Sequence, residues 1–359
     1  MSGYNTQEMV DMQRADPNFQ ILIEWLERQQ EPGNELLATS PAIKHYWVNR
    51  NNYFIDKDGL LWERSEEIRP GEWMVPSECK DEILRLNHDI PLAGHQGIDR
   101  TRERVKSRYQ WFGLTADVKR YVKGCGACNR NKKASKKAKA PLSPYNTGQP
   151  LQRIHIDFIG PLPKTKKGNE YILMITDHFT KWVECFPLPS QTAEQTAETV
   201  VNEFFCRFGC PFEIMTDKGR NFESRLFQSL CTLLEIHKSR TTSYHPESNG
   251  QVERMNRTLM DALRCYVDNK QDTWDQYLPH LACALRTSVN RDTGFTPFKM
   301  MFGREMNIPC DLIYRLPPSK QTGEDYEDYV LGLKKSLEEQ YDFARKNMGA
   351  ATHRMKKRS

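Results

Sequence analysis

The chain has 359 residues, room for two or three domains of ordinary size. Hydrophobic residues make up 38% and charged residues 28%, enough for a real core under a charged surface, and no apolar run is long enough to span a bilayer, so no membrane-spanning helix is expected. A net charge of only +5 excludes a uniformly basic polyanion binder and confines any such role to local clusters.

The opening residues Met1 to Thr6 lack the basic and apolar regions of a signal peptide, so the chain is expected to stay in the cytosol or nucleus, with a nuclear site reached through the cytoplasm as the expectation. Ten cysteines in a reducing compartment argue against a disulfide framework. Only Cys125-x2-Cys128 is tightly spaced, which points to metal; the others read as small buried apolar side chains.

Residues 1–75 read as an N-terminal extension. Apolar spacing from Phe19 to Leu26 predicts a helix, ended by Pro32-Gly33. Residues 51–62 read as two short strands around the Asp58-Gly59 turn.

Residues 76–130 read as a small helical domain. A helix is predicted over 78–89, ending in His88, then a Gly-bounded turn that carries His95, then helices near 98–108 and 115–123. The pattern His88-x6-His95-x29-Cys125-x2-Cys128 supplies the four N and S ligands that tetrahedral Zn2+ takes. A closed His2Cys2 set leaves no open position, so the zinc is expected to be structural. The competing reading is two unrelated surface histidines beside a chance Cys-x2-Cys.

Residues 131–152 read as a basic linker that includes Lys132, Lys133, Lys136 and Lys137. Phosphate contact, nuclear import and a solvated tether all fit such a run.

From 153 to 305 strands alternate with helices. Strands are predicted at 154–159, 171–176 and 182–186, the last ended by Pro187, and their short connections predict an antiparallel meander. A helix follows over 192–208, then a strand at 212–216, a helix near 222–235, a short strand at 236–240 and a long helix from about Asn249. Two more helices close the domain before 303. The predicted class is α/β, a mixed five-stranded sheet with helices packed on it. Residues 306–359 read as a C-terminal helical extension, one charged amphipathic helix over 320–350.

Three carboxylates in this region form one candidate site. Asp157 sits in the first strand, Asp217 follows the fourth, and Glu253 lies near the start of the long helix, 35 residues beyond Asp217. Taken alone, Glu253 is explained by the helix dipole, which favours an acid in the first turn. Three carboxylates together repel one another unless cations neutralise them, and oxygen ligands of this type suit Mg2+ or Mn2+. The arrangement fits phosphoryl transfer on DNA. Lys218, Arg220, Arg254 and Arg257 are candidate phosphate contacts, with a solvated surface as the alternative.

The motifs resemble those of retroviral-type integrases, most closely the gypsy-type retrotransposon branch. Leu92-Ala93-Gly94-His95 with Cys125-x2-Cys128 resembles the family's His2Cys2 zinc domain. Ile156-Asp157-Phe158-Ile159-Gly160-Pro161-Leu162, Thr216-Asp217-x-Gly219-x-x-Phe222 and Tyr244-His245-Pro246-x-x-Asn249-Gly250-Gln251-Val252-Glu253-Arg254 resemble its three catalytic motifs. The resemblance covers about residues 45–345 and implies a ribonuclease H-like catalytic core acting as a homo-oligomer on element ends and target DNA. It also implies 3′-end processing and strand transfer with two Mg2+ or Mn2+ ions, Asp157 bridging them and Asp217 and Glu253 holding one each. No segment resembles the DNA-binding barrel or chromodomain of other family members, so a polyprotein's integrase region, or a host gene derived from one, is expected. The alternative reading is a non-catalytic nucleic-acid-binding or assembly protein that keeps the fold; a nuclease that only hydrolyses is a third.

Overall fold

The computed structural model describes residues 4–29, 40–64, 71–131, 148–240, 246–267, 271–314 and 326–356, with side chains left out at 131, 246–253, 326–331 and 351–356. The chain forms two units. One holds Met1–Cys125 and Arg304–Glu324, the other Gly126–Gly303 and Asp325–Ser359.

In the first unit, α1 (Thr6–Ala15) starts in a capping box: the Asn5 side chain accepts from the Glu8 amide, and the Glu8 carboxylate accepts from the Asn5 amide. Asp16 caps α2 (Pro17–Arg28) and also accepts from the Ser77 amide at 2.6 Å. Helix α3 (Pro41–Val48), which apolar spacing alone does not reveal, begins at a Ser40 cap. Strands β1 (Tyr53–Ile55) and β2 (Leu61–Glu63) form the predicted hairpin, and β3 (Glu72–Met74) extends it. Buried Gln13 ties α1 to this sheet. Its amide donates to the Leu61 and Met74 carbonyls, and its carbonyl accepts from the Leu61 amide.

Helices α4 (Lys80–His88), α5 (Ile98–Lys106) and α6 (Leu114–Gly124) follow the predicted spans closely. Strand β4 (Tyr109–Gln110) pairs parallel to β3, so the sheet order is β1-β2-β3-β4. One apolar core spans the unit, joining Met9 and Trp62 of the extension to Ile83, Val105 and Val118.

The second unit opens with a short helix α7 (Gly126–Asn131). Strands β5 (Arg153–Ile159), β6 (Tyr171–Asp177) and β7 (Val183–Leu188) form the expected meander. Strand β7 runs through Pro187, where the sequence predicted its end. It is an edge strand, so a proline nitrogen need not complete a ladder there. Helix α8 (Ala193–Thr199) does not stay α-helical to 208. A π-helical segment, Val200–Phe205, intervenes before the last turn, Cys206–Phe208. Then come β8 (Glu213–Thr216), α9 (Arg225–Leu233), β9 (His237–Arg240), α10 (Pro246–Leu263), α11 (Trp274–Arg286) and α12 (Pro297–Phe302).

The sheet order is β7-β6-β5-β8-β9, with β5, β8 and β9 mutually parallel. Alternation along the strands feeds two cores. Ile154, Ile156 and Ile214 pack with Val200, Phe204 and Phe227 on one face. Ile172, Met174 and Cys185 pack with Met255, Leu259 and Leu278 on the other. Asp157 pairs across the ladder with Met174 and so belongs to the second face, under α10 and α11.

The compact units divide the chain after Cys125, Gly303 and Glu324, so the expected boundary at 305 falls beside one of these divisions and none of them falls near 75 or 152. The extension and the small helical domain share one core. The segment after Gly303 returns to it through α13 (Pro309–Ile313), which brings Ile308, Cys310 and Tyr314 inside. Arg108 donates to Asp311 at 2.5 Å and to the Met306 carbonyl at 3.2 Å. The Cys310 sulfur accepts from the Tyr109 hydroxyl, and Tyr314 donates to Glu82. The last helix, α14 (Tyr326–Lys356), belongs to the second unit, where Ala344 packs with Phe179 and Met300.

Both side chains of the Arg108–Asp311 pair are buried. Removing one partner leaves a buried charge alone, whereas removing both leaves none. Arg108→Met is therefore expected to destabilise the first unit by about 3–5 kcal/mol, and Arg108→Met with Asp311→Leu by much less. Urea unfolding of the three proteins measures this; equal losses would contradict it.

Candidate metal centre and active site

The four sulfur and nitrogen ligands predicted for zinc come together. One donor atom from each of His88, His95, Cys125 and Cys128 lies within 4.8 Å of every other. Local sequence explains how. His88 ends α4. Gly94 and His95 both take left-handed backbone, at φ 68° and 43°, and the His95 amide donates to the His88 carbonyl, which folds the second imidazole back over the first. The rings meet edge to face at 5.0 Å. Cys125 follows α6, and Cys128 lies in α7.

The spacing fits a metal. Cys125 Sγ is 3.4 Å from His95 Nδ1. Zn–S and Zn–N bonds of ordinary length at a tetrahedral angle require about 3.5 Å between such donors. The buried Thr101 hydroxyl donates to the Gln96 carbonyl and lies 3.3 Å from His88 Nδ1. It thus accepts from the Nδ1–H, and the lone pair of Nε2 is left for the metal. The sequence reading missed Thr101, since nothing at residue level marks a threonine as the partner of a ligand.

The three predicted catalytic acids come from the sheet and α10. Strands β5 and β8 are parallel with Ile156 opposite Thr216, so Asp157 and Asp217 each follow the same rung of the ladder. Adjacent strands lie about 4.8 Å apart, which makes the two acids neighbours at the carboxyl ends of parallel strands, the usual location of sites in such sheets. Asp217 is exposed, and its Oδ1 accepts from the Gly219 amide at 2.8 Å. A side chain on Gly219 would crowd Asp217 Oδ1 and Asn221 Oδ1, so glycine leaves the Asp217 carboxylate room in this turn. Asp157 is half-buried. Its Oδ1 accepts from the Phe158 amide at 2.9 Å, and its Oδ2 accepts from Asn256 Nδ2 at 2.7 Å.

Asn256 is a site residue that the sequence reading missed. It lies in α10 three residues after Glu253, and i, i+3 positions share a helix face. The pattern Glu-x-x-Asn is the signal that could have found it. Glu253 itself has helical backbone, and its side chain lies outside the described residues. Lys132, Lys133, Lys136 and Lys137 lie outside them altogether. Lys218, Arg220, Arg254 and Arg257 are all exposed, Lys218 and Arg220 in the Asp217 turn and the other two on α10. One turn inward from Asp157 on the same strand face, His155 is buried, and burial pushes its imidazole down to about 4, so it carries no charge beneath the acids.

These two constellations coincide with two family profiles. Residues 75–134 match the integrase zinc binding domain, and residues 148–246 match the integrase core domain. The chain carries both integrase domains. The match to the integrase core takes in Asp157 and Asp217 and ends seven residues before Glu253.

The chain is 30% identical over 275 residues to the retrovirus-related Pol polyprotein from transposon 412 of Drosophila melanogaster, a match over 76% of this chain and 22% of that one. It is 27% identical over 249 residues to the transposon Tf2-3 polyprotein of Schizosaccharomyces pombe, covering 68% of this chain and 18% of that one. The chain thus spans about a fifth of the length of these relatives. Among solved structures, the HTLV-2 integrase catalytic core domain in complex with magnesium is 24% identical, with a TM-score of 0.36, and matches 43% of this chain and 97% of its own. The second unit has the ribonuclease H-like sheet of an integrase core, with a mixed order and flanking helices.

Thr101→Val removes the hydrogen bond that orients His88. Metal affinity of the zinc-binding domain is expected to fall about 10–100-fold, read by competition with a chromophoric chelator. Unchanged affinity would contradict the assignment of Nε2 as the ligand atom.

Proposed function

We propose that the chain is the integrase of a retrotransposon-type element, which trims and joins DNA ends by phosphoryl transfer. One observation carries this reading: Asp157 and Asp217 each follow the same rung of the parallel strands β5 and β8, while Asn256 ties to Asp157 the helix that carries Glu253. The two matched domains support it.

The donor set fits hard divalent cations. Asp157 and Asp217 offer only oxygen, and each has one carboxylate oxygen occupied by a backbone amide one or two residues on. Mg2+ or Mn2+ held by Asp157, Asp217 and Glu253 would supply the Lewis acidity that readies a nucleophile and stabilises the departing oxygen. Asp157 lies between β8, which leads to Asp217, and α10, which carries Glu253, so it would share in holding the ions with both. Asn256 neutralises no charge; its amide fixes the carboxylate rotamer, so the acid does not swing out when its neighbours repel it. With water as nucleophile a DNA end is trimmed. With a DNA 3′-hydroxyl one phosphodiester replaces another, and no nucleotide cofactor is required. Zn2+ on His88, His95, Cys125 and Cys128 would be structural, because all four positions are filled by protein. Action on two element ends in the nucleus, by a homo-oligomer, completes the proposal.

The test uses the zinc-loaded chain, a short duplex with a retroelement end, and Mn2+ or Mg2+. Joined products are expected with wild type. Asp157→Asn and Glu253→Gln are each expected to reduce joining at least about a hundredfold while zinc content and DNA binding persist. Asn256→Leu is expected to fall between them and wild type. Joining that survives both carboxylate substitutions would overturn the proposal, as would an intact, DNA-bound chain that neither trims nor joins.

A further inference from the structure

Asp157, two residues before the end of β5, and Asp217, just after β8, belong to two of three parallel strands. The third, β9, ends in Arg240, opposite Thr216 and hence one residue from Asp217 across the ladder. Arg240 is half-exposed, and its Nη2 donates to Glu223 Oε2 at 2.6 Å. The other oxygen of the same carboxylate accepts from Lys238 Nζ at 2.8 Å, and Lys238 is nearly buried. Glu223 is itself held in the Asp217 turn. Its amide donates to the Gly219 carbonyl at 3.0 Å, and the Gly219 amide donates to Asp217 Oδ1. The Lys238 ammonium, with Arg240 beside it, holds the Glu223 carboxyl below its usual range, so the bridge is ionic.

The Lys238–Glu223 pair is largely buried, but Arg240 is exposed, and an exposed partner adds little to stability. A single carboxylate here takes two cations, so positive charge is left over. It also fixes the plane of a guanidinium that has five N–H donors, most of them not used by Glu223. Exposed Lys218 and Arg220 lie in the turn between Asp217 and Glu223. Arg240 leaves the ladder on the face of Ile156 and Thr216, opposite that of Asp157, at the carboxyl end of the sheet. A guanidinium held at that end, with further cations in the preceding turn, matches the geometry of phosphate recognition.

We propose that Arg240 contacts a backbone phosphate of the DNA that passes over the carboxyl ends of β8 and β9, with Glu223 and Lys238 as its positioning residues. This inference rests on the integrase reading and adds a residue to it. The ligand is the phosphodiester backbone, so the contact carries no base preference. Two effects of Glu223 oppose each other. As a negative charge it repels DNA. As the holder of Arg240 it helps binding.

The experiment is fluorescence anisotropy of a labelled 20-base-pair duplex with the full zinc-loaded chain, over a range of salt, without added Mg2+ or Mn2+. Arg240→Ala is expected to weaken binding several-fold at low salt and to lower the slope of log affinity against log salt by about 0.9, the loss of one phosphate contact. Arg240→Lys is expected to keep most of the slope. In a Glu223→Gln background the Arg240→Ala effect is expected to shrink, because the guanidinium is no longer held. An unchanged slope in Arg240→Ala, with wild-type zinc content and thermal unfolding, would overturn the contact. An equal Arg240→Ala effect in both backgrounds would overturn the positioning role. Neither result bears on trimming and joining by wild type, so both are distinct from failure of the integrase reading, in which wild type binds DNA but neither trims nor joins it.

Discussion

A hydrogen bond from Asn256 to Asp157 is the interaction on which the candidate active site depends. Like charges gathered at the end of a sheet push apart, and the backbone alone does not bring a helix to a strand. The strands place Asp157 and Asp217 by register, which the ladder enforces. Helix α10 has no such ladder. Its apolar residues Met255, Leu259 and Leu263 hold it against β6 and β7 in general, and Asn256 fixes it against Asp157 in particular. The same bond sets where along the sheet Glu253, one turn earlier, comes to stand. A one-residue slip of the helix would rotate that position by about 100° and take it away from the site.

The first unit solves a different problem. It is built from short helices and two- or three-residue strands, which bury little apolar surface individually. Its order comes from cross-links between distant parts of the chain. Gln13 bridges α1 to two strands, Arg108 and Tyr109 grip the segment that returns after Gly303, and three of the four candidate zinc ligands, His88, His95 and Cys125, belong to it. A metal bound there stabilises the folded state by its own binding free energy. The unit is therefore assembled from two stretches far apart in the sequence, and the domain boundaries drawn from sequence could not anticipate that.

Much of this was legible in the sequence because the signals were local. The alternation of apolar residues located all five strands of the larger sheet, and the Asp58-Gly59 turn located a hairpin. The spacing of His88, His95, Cys125 and Cys128 predicted a cluster that the folded chain assembles. The misses have physical causes. Pro187 is tolerated in a strand only because that strand is an edge, a tertiary fact. The π-helical segment after Thr199 keeps the apolar face that a regular helix would show, so periodicity does not reveal it. Thr101, Asn256 and Arg240 act through partners far away in sequence or on another strand, and their residue types are common everywhere. Ile308, Cys310 and Tyr314 look like the start of a surface extension until the core they enter is seen.

The central claim is that Asp157, Asp217 and Glu253 form a single metal site. Mn2+ binding to the zinc-loaded chain with a DNA end, followed by electron paramagnetic resonance of the free ion, tests it without reliance on turnover. The account predicts that Asp157→Asn, Asp217→Asn and Glu253→Gln each weaken the same Mn2+ binding and that Asp157→Asn does so most. Mn2+ binding that is unaffected by Glu253→Gln, or that is additive across three independent sites, would contradict it.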